Sequence, residues 1–535
     1  MVSNDQRIQQ FIDSHLEVIR PLSRDVSLAW WESALTGSEE AAVRAAELSA
    51  RYMKVYANPE EYAFLKGIAA DSLRDPLLAR QHNILLRAYQ GAQMPPEVID
   101  RLVQLEKEVD QEFNNYRAEV RGQKMTENEI RQILRESEDV ALRKDAWEGS
   151  KAIGARVAAH ILEMVRLRNE VARAHGFPNH YTKSMLLDEL DEERVFALFD
   201  ELAERTEPLW VAWKAEFDAA QAARFGISPE ELRPWHYTDQ FFQEAPPGEV
   251  NFDRYFADKN LEEITRRFFA AIGLPIEEVL AHSDLYEKPG KNQHAFCTDI
   301  DREGDVRVLC NVRPNEHWMG TMLHEFGHAV YDLYTDRNLP FLLRGPAHTL
   351  STEAIAEMMG RFSKEEIWLQ LYAGVPAEEA ERVAAMSRAE MRVKFLIATR
   401  WILTMCYFER AMYRHPEQDL NTLWWDMVEK YQHIRRPDNR HAPDWASKIH
   451  LALAPVYYHN YLLGEMMAAQ LLHYLRTVVL AGEPPEALFT NPKVGAWLKE
   501  YIFQPGATRP WEDALEIATG EALNPAYFVA QLMQK

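Results

Sequence analysis

Apolar residues recur at three- and four-residue spacing along most of the chain. "EEAAVRAAELSARYMKVYA" from Glu39, "PEVIDRLVQLEKEVDQEFNNYRAEV" from Pro96 and "IGARVAAHILEMVRLRNEVARAHGF" from Ile153 each gather them on one helical face. Prolines punctuate these segments, and glycines often follow them, as in "HGFP" and "IGLP". One region departs from the helical period. "QHAFCTDIDREGDVRVLCNV", from Gln293 to Val312, is short, β-rich and centred on a glycine-containing turn, which predicts a hairpin. There is no internal repeat and no low-complexity tract. The expectation is a mainly α fold with one small β-sheet. The loop "QEAPPGEV" from Gln243 is the best break in the middle, and no linker divides the chain clearly.

The 535 residues, 47% of them apolar, suffice for a large core, as two lobes or one helical body. A formal net charge of −23 repels phosphate backbones, and the basic residues form no run, so no nucleic-acid partner is expected. No stretch reaches the roughly 18 uninterrupted apolar residues of a membrane span, so no membrane partner is expected. The polar start "MVSNDQRIQQ" lacks a secretory pattern, which makes a cytoplasmic location the expectation. A secreted chain stripped of its signal would look the same. Three cysteines, Cys297, Cys310 and Cys406, are too few and odd in number for a disulfide framework. Cys297 and Cys310 flank the predicted hairpin and read as ordinary half-buried thiols, with a disulfide between them as the alternative.

The hairpin leads into "TMLHEFGHAV". On a helix, His324 and His328 lie one turn apart on one face and can turn ring nitrogens to a single ion. Glu325 projects about 100° round the axis, placed to reach a water rather than the ion. This is the HExxH pattern of zinc hydrolases, two ligands and a general base from one turn. Gly327 is small enough for close packing. Downstream, "LSTEAIAEMMG" places Glu353 in a helical segment 29 residues after His324, where a carboxylate completes a His2Glu set. Glu357, one turn on, is positioned to accept a ligand histidine's other N–H. Without the HExxH context, both glutamates read as a solvated acidic face.

A second cluster, "KIHLALAPVYYHNYLLGE" from Lys448, packs a lysine, two histidines and three tyrosines into fourteen residues. It reads either as an amphipathic helix with interfacial tyrosines or as a donor platform. In the latter, His450 and a tyrosine face an oxyanion and Lys448 meets a substrate carboxylate.

These stretches, with "AWEG" at Trp147, "QHAF" at Gln293, "NLPFLLRGPAHTLSTEAIAE" at Asn338 and "LWWDMVEKYQ" at Leu423, resemble the peptidyl-dipeptidase A family, the angiotensin-converting enzyme type of gluzincin. The resemblance runs from about Arg143 to Gln470. It implies two helical lobes around a deep central cleft, and one zinc ion per chain on His324, His328 and Glu353. It implies Glu325 as base, and Glu357 where the family has an aspartate behind a zinc histidine. His294 and Ala295 match an edge strand that pairs with substrate backbone. His450 matches an oxyanion-side histidine, Lys448 and Tyr458 match carboxylate-binding residues, and Tyr461 matches the oxyanion tyrosine. The tyrosine register is open by one, Tyr457 against Tyr458.

Three departures stand out. The family's carboxylate-binding glutamine falls near Tyr237, which puts strict dipeptide release in doubt. Its chloride-binding arginines fall at Val428 and Asn460, so chloride activation is expected to be weak or absent. No matching disulfide framework is present. The Glu353 segment and the tyrosine-rich segment also resemble the more distant thimet and oligoendopeptidase family.

The residues 1–535 thus read as one zinc-peptidase unit, with N-terminal lid helices to about 140, a zinc core at about 290–365 and a substrate-binding helix at about 448–470. The expected substrates are short peptides, cut by release of C-terminal dipeptides; the alternatives are internal cleavage, a non-catalytic peptide binder, or a zincin acting on a non-peptide amide. Oligomeric state is not legible. His317 and Trp318 read as packing at the start of the zinc helix, Trp424 as core, Glu106 and Glu108 as solvated. His348 and Arg344 read equally as cleft lining or as filler.

Overall fold

Side-chain caps mark where helices begin. Ser3 accepts from the Gln6 N–H in a capping box that opens Asn4–Thr36, and Ser38 caps Glu39–Tyr56. The computed structural model describes residues 3–246, 248 and 250–533. Helices dominate it, with two small two-stranded antiparallel sheets. No helix among the described residues is long and apolar enough to cross a membrane.

The predicted helices at Glu39 and Ile153 appear as Glu39–Tyr56 and Ile153–Ala174. The one at Pro96 ends early, at Asn115. Its expected last turn instead forms strand β1 (Ala118–Val120), which pairs with β2 (Gln123–Met125) just beyond the expected helix. Val120 pairs with Gln123, leaving a two-residue loop in which Arg121 and Gly122 both have positive φ, 51° and 79°. That backbone suits the right-handed twist of a tight hairpin. The sheet is thus a second one, which the helical period concealed. Prolines also stop fewer helices than expected, since Pro21 and Pro208 lie inside Asn4–Thr36 and Glu192–Phe225.

The predicted hairpin forms as strands β3 (Phe296–Asp299) and β4 (Val306–Leu309), with Phe296 opposite Leu309 and Asp299 opposite Val306.

The chain folds into two compact units, each built from separate stretches. One comprises the chain up to Gln93, Val250–Ser387 and Leu463–Phe528. Its N-terminal helix packs Trp31 and Ala34 against Ile300 and Leu309 of the β3–β4 hairpin. The other comprises Met94–Glu249, Arg388–Leu462 and the segment from Val529 onward. The first 140 residues contribute to both units, the boundary falling after Gln93.

In the second unit, "KIHLALAPVYYHNY" is not one helix. It forms a short helix His450–Leu453, a break, and the start of His459–Tyr474. Pro455 has no N–H to continue the first, and Val456 takes a left-handed φ of 55°.

Candidate active site

The HEFGH helix, Glu316–Tyr334, starts at Asn315, whose side chain accepts from the Trp318 N–H. Trp318 is half-buried and His317 exposed there. The Glu353 helix, Thr349–Arg361, starts at His348, whose Nδ1 accepts from the Leu350 N–H at 2.9 Å. His348 is therefore a cap, held against Trp511. The two helices touch backbone to backbone at Gly327, where a Cβ would sit 2.8 Å from the Cα of Ala356. Gly360 is similarly tight, its added Cβ falling 3.3 Å from the Cβ of His324.

This close approach brings His324 Nε2 to 3.9 Å and His328 Nε2 to 3.8 Å from Glu353 Oε2. The three residues each offer a ligand atom, all within 4.8 Å of one another. Tetrahedral zinc with these ligands has edges of about 3.3 Å, so a small inward turn of the side chains closes the set. Burial lowers the pKa of both histidines, that of His328 to about 3. Both rings are thus neutral, the form that binds metal. His328 Nδ1 lies 2.7 Å from Thr352 Oγ1, which fixes Nε2 as the nitrogen aimed at Glu353. The donor set fits a divalent cation.

Glu357 was expected to hold a histidine N–H. It forms an ion pair with Arg361 at 3.6 Å, and its charge acts on His324. Arg361 also pairs with Glu465. The ring hydrogen bond in evidence is Thr352's, on a residue adjacent to the ligand Glu353. The only sequence signal for it was that adjacency.

Glu325 is buried, and the backbone N–H of Cys297 on β3 is near enough to favour its charged form. Burial, then the charge of Glu353, pushes its carboxyl up to about 8, against the pull of that N–H. A cation on the ligand set opposes this shift. β3 pairs with β4 alone among the described strands. His294, exposed, and Ala295, half-buried, lie just before β3 rather than within it. Cys297, Cys310 and Cys406 are free thiols. Arg344 donates to the Leu339 carbonyl and pairs with Glu303.

In the second unit, Lys448 Nζ donates to Gln243 Oε1 at 2.7 Å and lies 5.2 Å and 5.3 Å from the ring centroids of Phe241 and Trp401. Burial lowers its pKa to about 8, while Asp239 works the other way. Tyr458 is buried, 6.1 Å from Trp401 and 5.2 Å from His450, whereas Tyr457 is half-buried. Tyr458 and Lys448 share Trp401 as a ring neighbour. Burial, then Lys448, lowers the His450 pKa to about 4, and its Nδ1 is buried without a partner. Tyr461 is 47% exposed, with its ring 5.7 Å from that of Tyr458.

Tyr237 does not join this group. It is buried, its hydroxyl donates to Asp218 Oδ1 at 3.1 Å, and the hydroxyl accepts from Lys214 Nζ at 2.8 Å. Its single hydrogen is given to Asp218 rather than turned to the Lys448 group. The glutamine beside Lys448 is Gln243, six positions on, in an irregular loop where no periodicity fixes an alignment. Val428 and Asn460 are buried and carry no charge. Trp424 is core, as expected, while Glu106 pairs with Arg168 and Glu108 with His160.

A mainly α chain that carries HExxH on one helix and the third carboxylate on the helix packed against it has the make-up of a gluzincin metallopeptidase. The peptidase family model described as "Angiotensin-converting enzyme" matches residues 2–220 and 249–531. The chain belongs to that family. It is 24% identical over 440 residues to angiotensin-converting enzyme of Rattus norvegicus, covering 73% of this chain and 32% of the relative. It is 26% identical over 297 residues to angiotensin-converting enzyme of Haematobia irritans exigua, covering 50% and 46%. It is 25% identical over 266 residues to thermostable carboxypeptidase 1 of Pyrococcus furiosus, covering 45% and 52%. The matched region spans about a third to a half of these relatives' lengths.

Proposed function

We propose that the chain is a zinc-dependent peptidase that shortens small peptides from the C-terminal end, releasing dipeptides. The observation that carries this is the His324–His328–Glu353 group with Glu325 beside it on the same helix. His324 Nε2, His328 Nε2 and a Glu353 oxygen hold the ion. When bound, zinc supplies a Lewis acid that polarises the peptide carbonyl and makes water nucleophilic near neutral pH.

The protein's side chains do the rest. Glu325 takes a proton from the attacking water and returns it to the leaving amine nitrogen. The His294–Ala295 segment, leading into β3, hydrogen-bonds an extended peptide through its backbone. Lys448 meets the peptide's C-terminal carboxylate with its N–H donors, together with the Gln243 amide and Tyr458. His450 and Tyr461 donate to the developing oxyanion. Relatives named angiotensin-converting enzyme and carboxypeptidase 1 support a C-terminal exopeptidase. Gln243 beside Lys448 supports dipeptide release, in place of Tyr237. Internal cleavage of short peptides is the second reading, and a non-catalytic peptide binder the third. Glu325 counts against the latter, since a pure binder needs no base. A single catalytic unit spans the sequence in this reading. Chloride activation is expected to be weak or absent, because Val428 and Asn460 offer an anion no charge.

Mass spectrometry of products from mixed short peptides, with and without a chelator, tests the proposal. Chelator-sensitive loss of C-terminal dipeptides is expected. Internal cuts would favour the second reading, and cleavage indifferent to the chelator would overturn the zinc assignment.

A further inference from the structure

The loop that presents Gln243 is wrapped around a carboxylate. Asp239 is 2% exposed, and its oxygens accept from three backbone N–H groups. Oδ1 receives the N–H of Phe241 at 2.8 Å and of Gln243 at 3.2 Å; Oδ2 receives the N–H of Gln243 at 3.1 Å and of Glu244 at 3.1 Å. Between them Phe242 is held at a left-handed φ of 51°, a strained state for an aromatic residue. The outer side is pinned too. Gln432 Nε2 donates to the carbonyls of Phe241 and Phe242, each at 2.9 Å, and Trp147 Nε1 donates to that of Gln240 at 3.1 Å.

Converging backbone N–H groups with a left-handed residue make a nest, an arrangement suited to an anion. Here the anion is part of the chain. Lys448 and the fully buried Lys151 both feel the Asp239 charge, which favours their ammonium forms against burial. The Gln243 amide is oriented unambiguously, because an ammonium only donates and so Oε1 must face it. That leaves two Lys448 N–H groups and the Gln243 NH2 as donors for an incoming group. They suit a carboxylate.

We propose that Asp239 is a positioning residue for the peptide's C-terminal carboxylate: a built-in anion that shapes the loop, holds Gln243 against Lys448 and keeps the pair ready to bind. This rests on the reading of Lys448 and Gln243 as the carboxylate anchor. A role confined to loop stability would lower turnover of all substrates alike. A positioning role acts on affinity, and only for peptides with a free C-terminus.

The test compares Asp239→Asn and Asp239→Ala with the unaltered zinc-loaded full chain, on one peptide with a free C-terminus and its C-terminal amide. For the free peptide, KM should rise about ten- to a hundredfold with kcat little changed, the cost of disordering a charge-assisted contact. The amide should be unaffected. Calorimetric affinity for an unhydrolysed dipeptide should fall in parallel, and added formate should restore part of it in Asp239→Ala by refilling the nest. Equal losses on both peptides, a change confined to kcat, or an asparagine variant that binds normally would overturn the proposal. If Asp239→Ala does not fold, the isosteric Asp239→Asn decides alone. A different result marks failure of the anchor itself: an unaltered enzyme that ignores amidation, with Lys448→Ala equally indifferent, overturns the anchor and this proposal with it.

Discussion

Glu325 of the HEFGH helix and the backbone N–H of Cys297 on β3 act on each other: the N–H favours the charged carboxylate, against burial. The proposed base thus feels the strand as well as its own helix. A glutamine at this position keeps the size and an acceptor oxygen but cannot take up a proton. Glu325→Gln is therefore expected to lower kcat about 10²- to 10⁴-fold, with zinc content by metal analysis and melting temperature close to those of the unaltered protein. Undiminished hydrolysis would remove Glu325 from the role of base.

Thr352 holds the His328 ring through the 2.7 Å contact at Nδ1, and its hydroxyl can accept from Nδ1–H when Nε2 binds a cation. Thr352→Val keeps the shape and deletes the partner. Zinc affinity, read in metal-buffered titrations, should fall about 10- to 100-fold. An unchanged affinity would mean that the ring is held by packing alone.

Gly327 lets the two ligand-bearing helices meet. A methyl group there would press on the Ala356 backbone, which has no side-chain freedom with which to yield. Gly327→Ala should destabilise the fold by about 1–3 kcal/mol and weaken metal binding, because the helices separate. Thermal unfolding without metal isolates the first effect from the second.

Lys448 loses its proton on the folded protein as pH rises through about 8, since burial lowers its pKa from the usual lysine value. Only the ammonium attracts a carboxylate. KM for peptides with a free C-terminus should therefore rise above about pH 8, and Lys448→Met should abolish this rise. Amidated peptides should show neither effect. If free and amidated peptides share one alkaline profile, another group is titrating.

Local geometry made the metal group legible. The spacing of His324 and His328 needs nothing but a helix, and Glu353 needed only a second helix near the first. The Thr352 contact depends on how that second helix is rotated, and rotation is decided by Gly327 and Gly360, which sequence period does not encode. Gln243 was missed because its loop has no period, and its shape comes from the Asp239 side chain and a left-handed Phe242. The β1–β2 hairpin was hidden by a long helical period running up to it, though the Arg121–Gly122 pair was its local signal. The break at Pro455 shows the reverse, a proline that did stop a helix where a continuous one was expected.

The three thiols have a practical consequence. Cys297, Cys310 and Cys406 are free, and burial holds each thiol's pKa above its usual value, helped by the nearby carboxylates Asp332 and Glu325 at Cys297, Glu325 at Cys310 and Glu409 at Cys406. Each is therefore a poor nucleophile at neutral pH. A single cysteine placed on the surface would be the one site that a maleimide dye labels quickly, so distances and motions could be followed by fluorescence with the native cysteines left in place.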